Sequence, residues 1–257
     1  MTHSIFSLAG KVALVTGGNG GLGRGIALGL RQAGARVAVT GRDPGKNAAI
    51  ARELGDEALV LHLDVGDETD VQNTIARVID RFGRLDTLVN NAGIARGGPV
   101  LEMTREDWEA VITTNLTGSF LCAKHAAKAM AARSQGGKII NIGSIYSHYG
   151  APQFAGYGAS KAGVLGLTRA LAIELAPYDI QVNAILPGWY ETEMTREESE
   201  SAIAEEIRRK TPAGRWGKIE DLIGASVFLA SAASNFITGA AIPVDGGYLI
   251  AERFTPE

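Results

Sequence analysis

Lys11-Val12-Ala13-Leu14-Val15-Thr16 runs straight into Gly17-Gly18-Asn19-Gly20-Gly21-Leu22-Gly23, and this junction decides the fold. The first half is apolar and rich in β-branched residues, as a strand covered on both faces is. The second half holds five glycines in seven residues. A strand that turns sharply into a helix needs glycine for positive φ and for close backbone approach. Unpaired N–H groups at the start of that helix, backed by its dipole, suit the pyrophosphate of a dinucleotide. A tight turn with no ligand is the plain alternative, and the strand before and helix after weigh against it.

The same alternation continues outward. Apolar runs at 36–40, 58–63, 87–90, 138–142, 181–186 and 240–244 read as further strands, most without in/out alternation. Helical periodicity fills 21–33, 46–54, 68–82, 105–132, 157–176 and 219–230, with Thr104 as N-cap of the fourth and Glu106 and Asp107 in its first turn. Strand–helix–strand repetition implies right-handed crossovers and a doubly wound, Rossmann-type α/β sheet, mostly parallel, seven-stranded, with helices on both faces. No linker or repeat divides residues 1–257, so one domain is expected. The charged stretch 191–210 departs from the pattern. It is either a solvated surface helix or part of a substrate lid at about 189–215, following Pro187-Gly188.

Composition narrows the function. Hydrophobic residues make up 46% of 257, and the formal charge is −3 with both signs interspersed. That balance gives no footprint for nucleic acid or for a membrane surface. Cys122 is the single cysteine, so no intrachain disulfide forms, and its apolar helical setting suggests a buried thiol. His62, His125 and His148 lack metal-ligand spacing, and no metal is expected. No apolar run approaches a membrane span, and residues 1–10 lack a secretion signal. The expectation is a soluble, cytoplasmic protein.

The spacing TGxxxGxG at Thr16–Gly23 resembles the short-chain dehydrogenases/reductases, and the resemblance continues along the chain. Asn90-Asn91-Ala92-Gly93 resembles the family's NNAG, Asn115 its helix asparagine and Ser144 its active-site serine. Tyr157-Gly158-Ala159-Ser160-Lys161 resembles its YxxxK, and Pro187-Gly188 with Thr192 its PG…T segment. The resemblance implies an NAD(P)-dependent oxidoreductase with Asn115, Ser144, Tyr157 and Lys161 as catalytic residues. It implies cofactor contacts from Gly17, Gly18, Asn19, Gly20, Gly21, Leu22 and Gly23, from Asp64 and Val65, from Asn91, Ala92 and Gly93, and from Pro187, Gly188, Tyr190 and Thr192. Asp64 also reads as a plain turn residue after its strand. A homotetramer is implied as well.

The chemistry fits those residue types. Hydride transfer to a carbonyl needs a proton donor, and a free tyrosine of pKa about 10 is a weak base in the reverse direction. Tyr157 and Lys161 lie four apart in a helical pattern, so both project from one face, where an ammonium group favours phenolate. Ser144 follows a strand end, where its hydroxyl can orient a substrate oxygen. Asn115 by resemblance perturbs its helix and holds a water linking Lys161 to solvent. A non-catalytic dinucleotide-binding sensor is the reading from another class, and four intact catalytic positions argue against it.

The substrate is a small polar molecule. The strings at 6–8, 137–142 and 212–217 resemble sugar-acid dehydrogenases acting on gluconate or 2-deoxygluconate, although several also occur in 3-oxoacyl-thioester reductases. Candidate substrate contacts are Arg96, Ser144, His148, Gln153, Tyr157 and Trp189, with Arg96 either pairing a carboxylate or facing solvent. The cofactor reading turns on Val39-Thr40-Gly41-Arg42-Asp43. A carboxylate ending the second strand accepts the adenosine ribose hydroxyls of NAD. Here Gly41 stands in that place, and Arg42 offers donors to a phosphate, so NADP is preferred over NAD. Gly20 tempers this, because many NADP-dependent members carry a basic residue there.

Overall fold

The computed structural model describes residues 4–252. Residues 1–3 and 253–257 lie outside it, including the start of the stretch read for a secretion signal. Seven strands form one wholly parallel sheet in the order β3-β2-β1-β4-β5-β6-β7. They are β1 Val12–Val15, β2 Arg36–Gly41, β3 Leu59–His62, β4 Thr87–Asn90, β5 Gly137–Ile142, β6 Ile180–Pro187 and β7 Ala241–Val244. The helices are α1 Gly21–Gln32, α2 Pro44–Leu54, α3 Glu68–Phe82, α4 Arg105–Ile112, α5 Gly118–Ala131, α6 Ala155–Glu174, α7 Arg196–Ser199, α8 Ile203–Lys210 and α9 Ile223–Ala230.

Why the strands lack alternation is visible in β1. Val12 and Leu14 join a core built on α3 and α5, whereas Ala13 and Val15 join the opposite core built on α1, α2 and α9. Both faces of the sheet are dry at β1, and all four of its positions are apolar. Cys122 packs in the first of these cores, and burial pushes its thiol up to about 12. Thr104 caps α4 as expected, accepting from the Asp107 N–H at 3.0 Å, a contact worth about 1 kcal/mol.

One expected helix is interrupted. The stretch 105–132 keeps a single course, but Thr113–Thr117 between α4 and α5 forms a π-helical turn. The wide turn buries Asn115, and Gly118 just after it tucks against Val65, which a Cβ at Gly118 would meet at 2.6 Å. Periodicity alone cannot see one extra residue per turn, because α4 and α5 each keep a normal pattern. The segment after β6 folds into a 3₁₀ turn at Glu193–Thr195 followed by α7 and α8. It closes on itself where Tyr190 bridges Gly217 as an isolated β pair.

Candidate active site

The strand order reverses between β1 and β4, and at that point a cleft of about 420 Å³ opens along the carboxyl ends of the strands. The glycine turn forms its floor. Gly17 adopts φ +60°, and a Cβ there would lie 2.9 Å from Ala92 Cα. Thr16 Oγ1 accepts from the N–H groups of Asn91 and Ala92, while Asn91 Nδ2 donates to the carbonyls of Thr16 and Gly17. The turn is thereby tied to the end of β4. No side chain caps α1, and no acid stands in its first turn, so its leading N–H groups are left for a ligand.

Gly17, Asn19, Gly20, Gly21 and Leu22 line the cleft, as do Arg42, Asp64, Val65, Asn91, Ala92 and Gly93. Gly18 and Gly23 do not. Gly18 packs on Val15 and Val39, and Gly23 backs onto Asn91, so their part is to let the backbone close up. The Asn91 amide nitrogen is spent on the turn rather than offered to a ribose. Asp64 lines the cleft, and as a turn residue its Oδ1 accepts from the Gly66 N–H at 2.9 Å.

The far end of the same cleft holds the chemistry, with Ser144, Tyr157, Lys161, Pro187, Gly188, Tyr190 and Thr192 in its wall. Ser144 Oγ accepts from the Tyr146 N–H at 3.1 Å, which fixes the oxygen and leaves its proton to be donated. Lys161, 5% exposed, donates to the Ile142 carbonyl at 2.8 Å, and its Nζ lies 5.6 Å from the Tyr157 ring centroid. Burial, with no anion near, lowers the Lys161 amine to about 8. Burial also raises Tyr157, while the Ser144 hydroxyl beside it pulls the other way. The lysine expected to favour phenolate is thus turned to a backbone carbonyl here, and desolvation dominates the tyrosine instead.

Asn115 stands behind the cleft rather than in it. Its Nδ2 donates to the Ile94 carbonyl and to Ser160 Oγ, its Oδ1 accepts from the Ile94 N–H, and Ser160 Oγ in turn donates to the Tyr157 carbonyl. The side chain is fully engaged in holding the 93–94 backbone and the start of α6.

Four of the six expected substrate contacts fall away from the cleft. Arg96 is exposed and pairs with Asp107 at 2.9 Å on the surface, the solvent-facing alternative. His148 and Gln153 are exposed loop residues, Gln153 at φ +69° with its carbonyl accepting from Gly98. Trp189 stacks edge-on against Tyr146 and Trp216, its Nε1 buried without a partner. Tyr190 reaches the cleft, but its hydroxyl donates to the Val244 carbonyl at 2.9 Å. Lining residues missed from sequence include Lys46, Ile94, Glu193, Met194 and Thr195. Lys46 carried a signal, being the first cation inside the helix that follows Arg42.

A family model described as enoyl-(acyl carrier protein) reductase matches residues 17–249. The 2-dehydro-3-deoxy-D-gluconate 5-dehydrogenase of Escherichia coli K12 is 43% identical over 251 residues, spanning 97% of this chain and 99% of its own. A 3-oxoacyl-[acyl-carrier-protein] reductase of Synechocystis is 41% identical over 249 residues, 95% of this chain and 99% of its own. The crystal structure of a gluconate 5-dehydrogenase from Burkholderia cenocepacia, in complex with NADP and tartrate, superposes with a TM-score of 0.93 at 40% identity, covering 98% of this chain and all of that one. Among the described residues, no helix is long and apolar enough to cross a membrane. A glycine turn with open helix N–H groups at one end of the cleft, and a serine, tyrosine and lysine at the other, agree with these relatives: the chain belongs to the short-chain dehydrogenase/reductase family and is an NAD(P)-dependent oxidoreductase acting on CH–OH and C=O groups.

Proposed function

We propose that the chain interconverts a secondary alcohol and a ketone of a sugar acid, with NADP as the preferred cofactor. The observation that carries this is the shared cleft, whose glycine floor and Ser144–Tyr157–Lys161 wall lie in one continuous space. The bound nicotinamide supplies or takes the hydride. Tyr157 gives its phenolic proton to the forming alkoxide, or takes it back in oxidation. Ser144 would hydrogen-bond the same oxygen through its hydroxyl and orient it, keeping its own proton. The remaining donors of Lys161 would hold the nicotinamide ribose, and Asn115 keeps Gly93 and α6 in register. Residues 189–215 form the substrate lid, whose Trp189 packs between Trp216 and Tyr146, the latter 5.9 Å ring to ring from Tyr157.

The NADP preference is supported by Gly41 and Arg42. β2 ends without an acid, and Arg42 reaches the cleft with no carboxylate partner among the described residues. Asp43, the nearest acid, is committed to capping α2 through the Lys46 N–H at 2.8 Å. Sugar-acid relatives support the substrate class, and the acyl-carrier-protein relative favours a 3-oxoacyl thioester as a second reading. We infer a cytoplasmic homotetramer, for which exposed Trp108, Phe120, Ile173 and Phe236 supply apolar surface. A stable monomer in light scattering at micromolar concentration overturns the assembly.

Tyr157→Phe tests the mechanism. Turnover falls by about three orders of magnitude or more, while cofactor Kd stays within about twofold. Unchanged turnover removes Tyr157 from the reaction. Screening sugar acids, polyols and an acetoacetyl thioester tests the substrate, and turnover of the thioester alone selects the second reading.

A further inference from the structure

At the adenosine end of the cleft, Lys46 of α2 forms an ion pair with Glu193, the residue that opens the 3₁₀ turn of the 189–215 segment. Both side chains line the cleft, so the pair crosses it between segments 147 residues apart in sequence. The alkyl chain of Lys46 runs in front of the glycine turn: a Cβ placed on Gly20 would sit 3.8 Å from Lys46 Cδ, in ordinary contact. The space beside Gly20 that a longer side chain would occupy is filled from the neighbouring helix. Lys46 therefore shares the end of the cleft with Arg42, Gly41 and the glycine turn, and Glu193 is the anion it holds there.

We propose that Lys46 is a second cation for the 2′-phosphate of NADP and that Glu193 competes with that phosphate for it. The inference rests on the NADP preference argued above. The competition is unequal. Both side chains are largely exposed, 44% for Lys46 and 65% for Glu193, so water and salt screen their attraction. A phosphate brings up to two negative charges and three acceptor oxygens to the same place, with Arg42 already there to share it. NAD carries no such group and has nothing to exchange with Glu193. Glu193 then acts as a selectivity element: it taxes NADP binding and leaves NAD binding alone. The Lys46 pairing already holds the Glu193 carboxyl below its ordinary range, as a carboxylate serving as a stand-in anion requires.

Equilibrium Kd values for NADP and for NAD, measured by quenching of intrinsic tryptophan fluorescence without substrate, test this on purified wild type, Lys46→Met, Glu193→Gln and the double variant. Lys46→Met weakens NADP by about tenfold and NAD by less than about twofold, while Glu193→Gln tightens NADP by about threefold. In the double variant, Glu193→Gln brings no tightening. Equal weakening of both cofactors by Lys46→Met, or an NADP Kd indifferent to Glu193→Gln, overturns the exchange. A wild type that prefers NAD overturns the NADP reading and the exchange together. A wild type whose NADP preference is lost in Arg42→Ala but kept in Lys46→Met overturns the exchange alone.

Discussion

Strand β5 has a buried lysine against each of its ends, and the two have different surroundings. At its start, Lys138 donates to Ser234 Oγ at 3.3 Å and to Asn235 Oδ1 at 2.9 Å, with Asp179 near enough to favour its charge. At its finish, Lys161 donates to the Ile142 carbonyl, with no anion beside it among the described residues. Burial pulls both amines down to about 8. The lower one is built into the protein with side-chain acceptors of its own. The upper one keeps donors in reserve at the mouth of a cleft. A desolvated lysine with unspent donors is a binding group, whereas one with its acceptors supplied is a structural group, and the shifted pKa alone does not tell them apart.

The largest expected effect breaks or upholds that distinction directly. Lys161→Met lowers turnover by about a thousandfold and weakens cofactor binding, whereas Lys138→Met leaves kcat and KM within about threefold. Comparable losses in both variants, measured by steady-state kinetics, erase the difference. Stability moves in the opposite sense. An amine lowered from 10.5 to about 8 makes the folded state bind fewer protons than the unfolded one between those values. The cost of burying its charge is fully present below about pH 8 and is relieved as pH rises towards 10.5, a span of up to about 3 kcal/mol. Lys161→Met therefore raises the melting temperature at pH 7, and its advantage over wild type shrinks above pH 8. Lys138→Met gains less, since it strands the oxygens of Ser234 and Asn235. Thermal melts at pH 7 and pH 9.5 check both, and an advantage of Lys161→Met that grows with pH defeats the assignment.

How much of this was legible in the sequence follows the same division between backbone and side chain. The strands and the glycine turn could be read because two dry sheet faces force continuous apolar runs and a tight turn forces glycine. Ser144, Tyr157 and Lys161 were found through the family resemblance, and their places support it: Tyr157 and Lys161 lie four apart on α6, and Ser144 follows the end of β5. Arg96, His148, Gln153 and Trp189 stand outside the cleft because loop side chains have no such constraint: Arg96 found Asp107, and Trp189 found the rings of Tyr146 and Trp216. The pairing of Lys46 with Glu193 lay beyond reach for the same reason, since it joins two segments that the sequence never brings together. The smallest expected effect measures this lesson. Arg96→Ala removes only an exposed ion pair, so kcat/KM changes by less than about twofold. A tenfold rise in KM for a sugar acid restores Arg96 to the substrate site.

The π-helical turn at Thr113–Thr117 carries a consequence for how the chain tolerates change. The extra residue is taken up inside the turn, so α4 and α5 keep one course on either side of it. Loss of a single residue there would tighten the turn to a regular α-helix with the flanking helices nearly in phase. Leu121, Cys122, Ala126 and Met130 would keep their places against the sheet, while Asn115 would leave Ile94 and Ser160. A stretch without a single charged side chain thus uses one residue of helix to aim one amide.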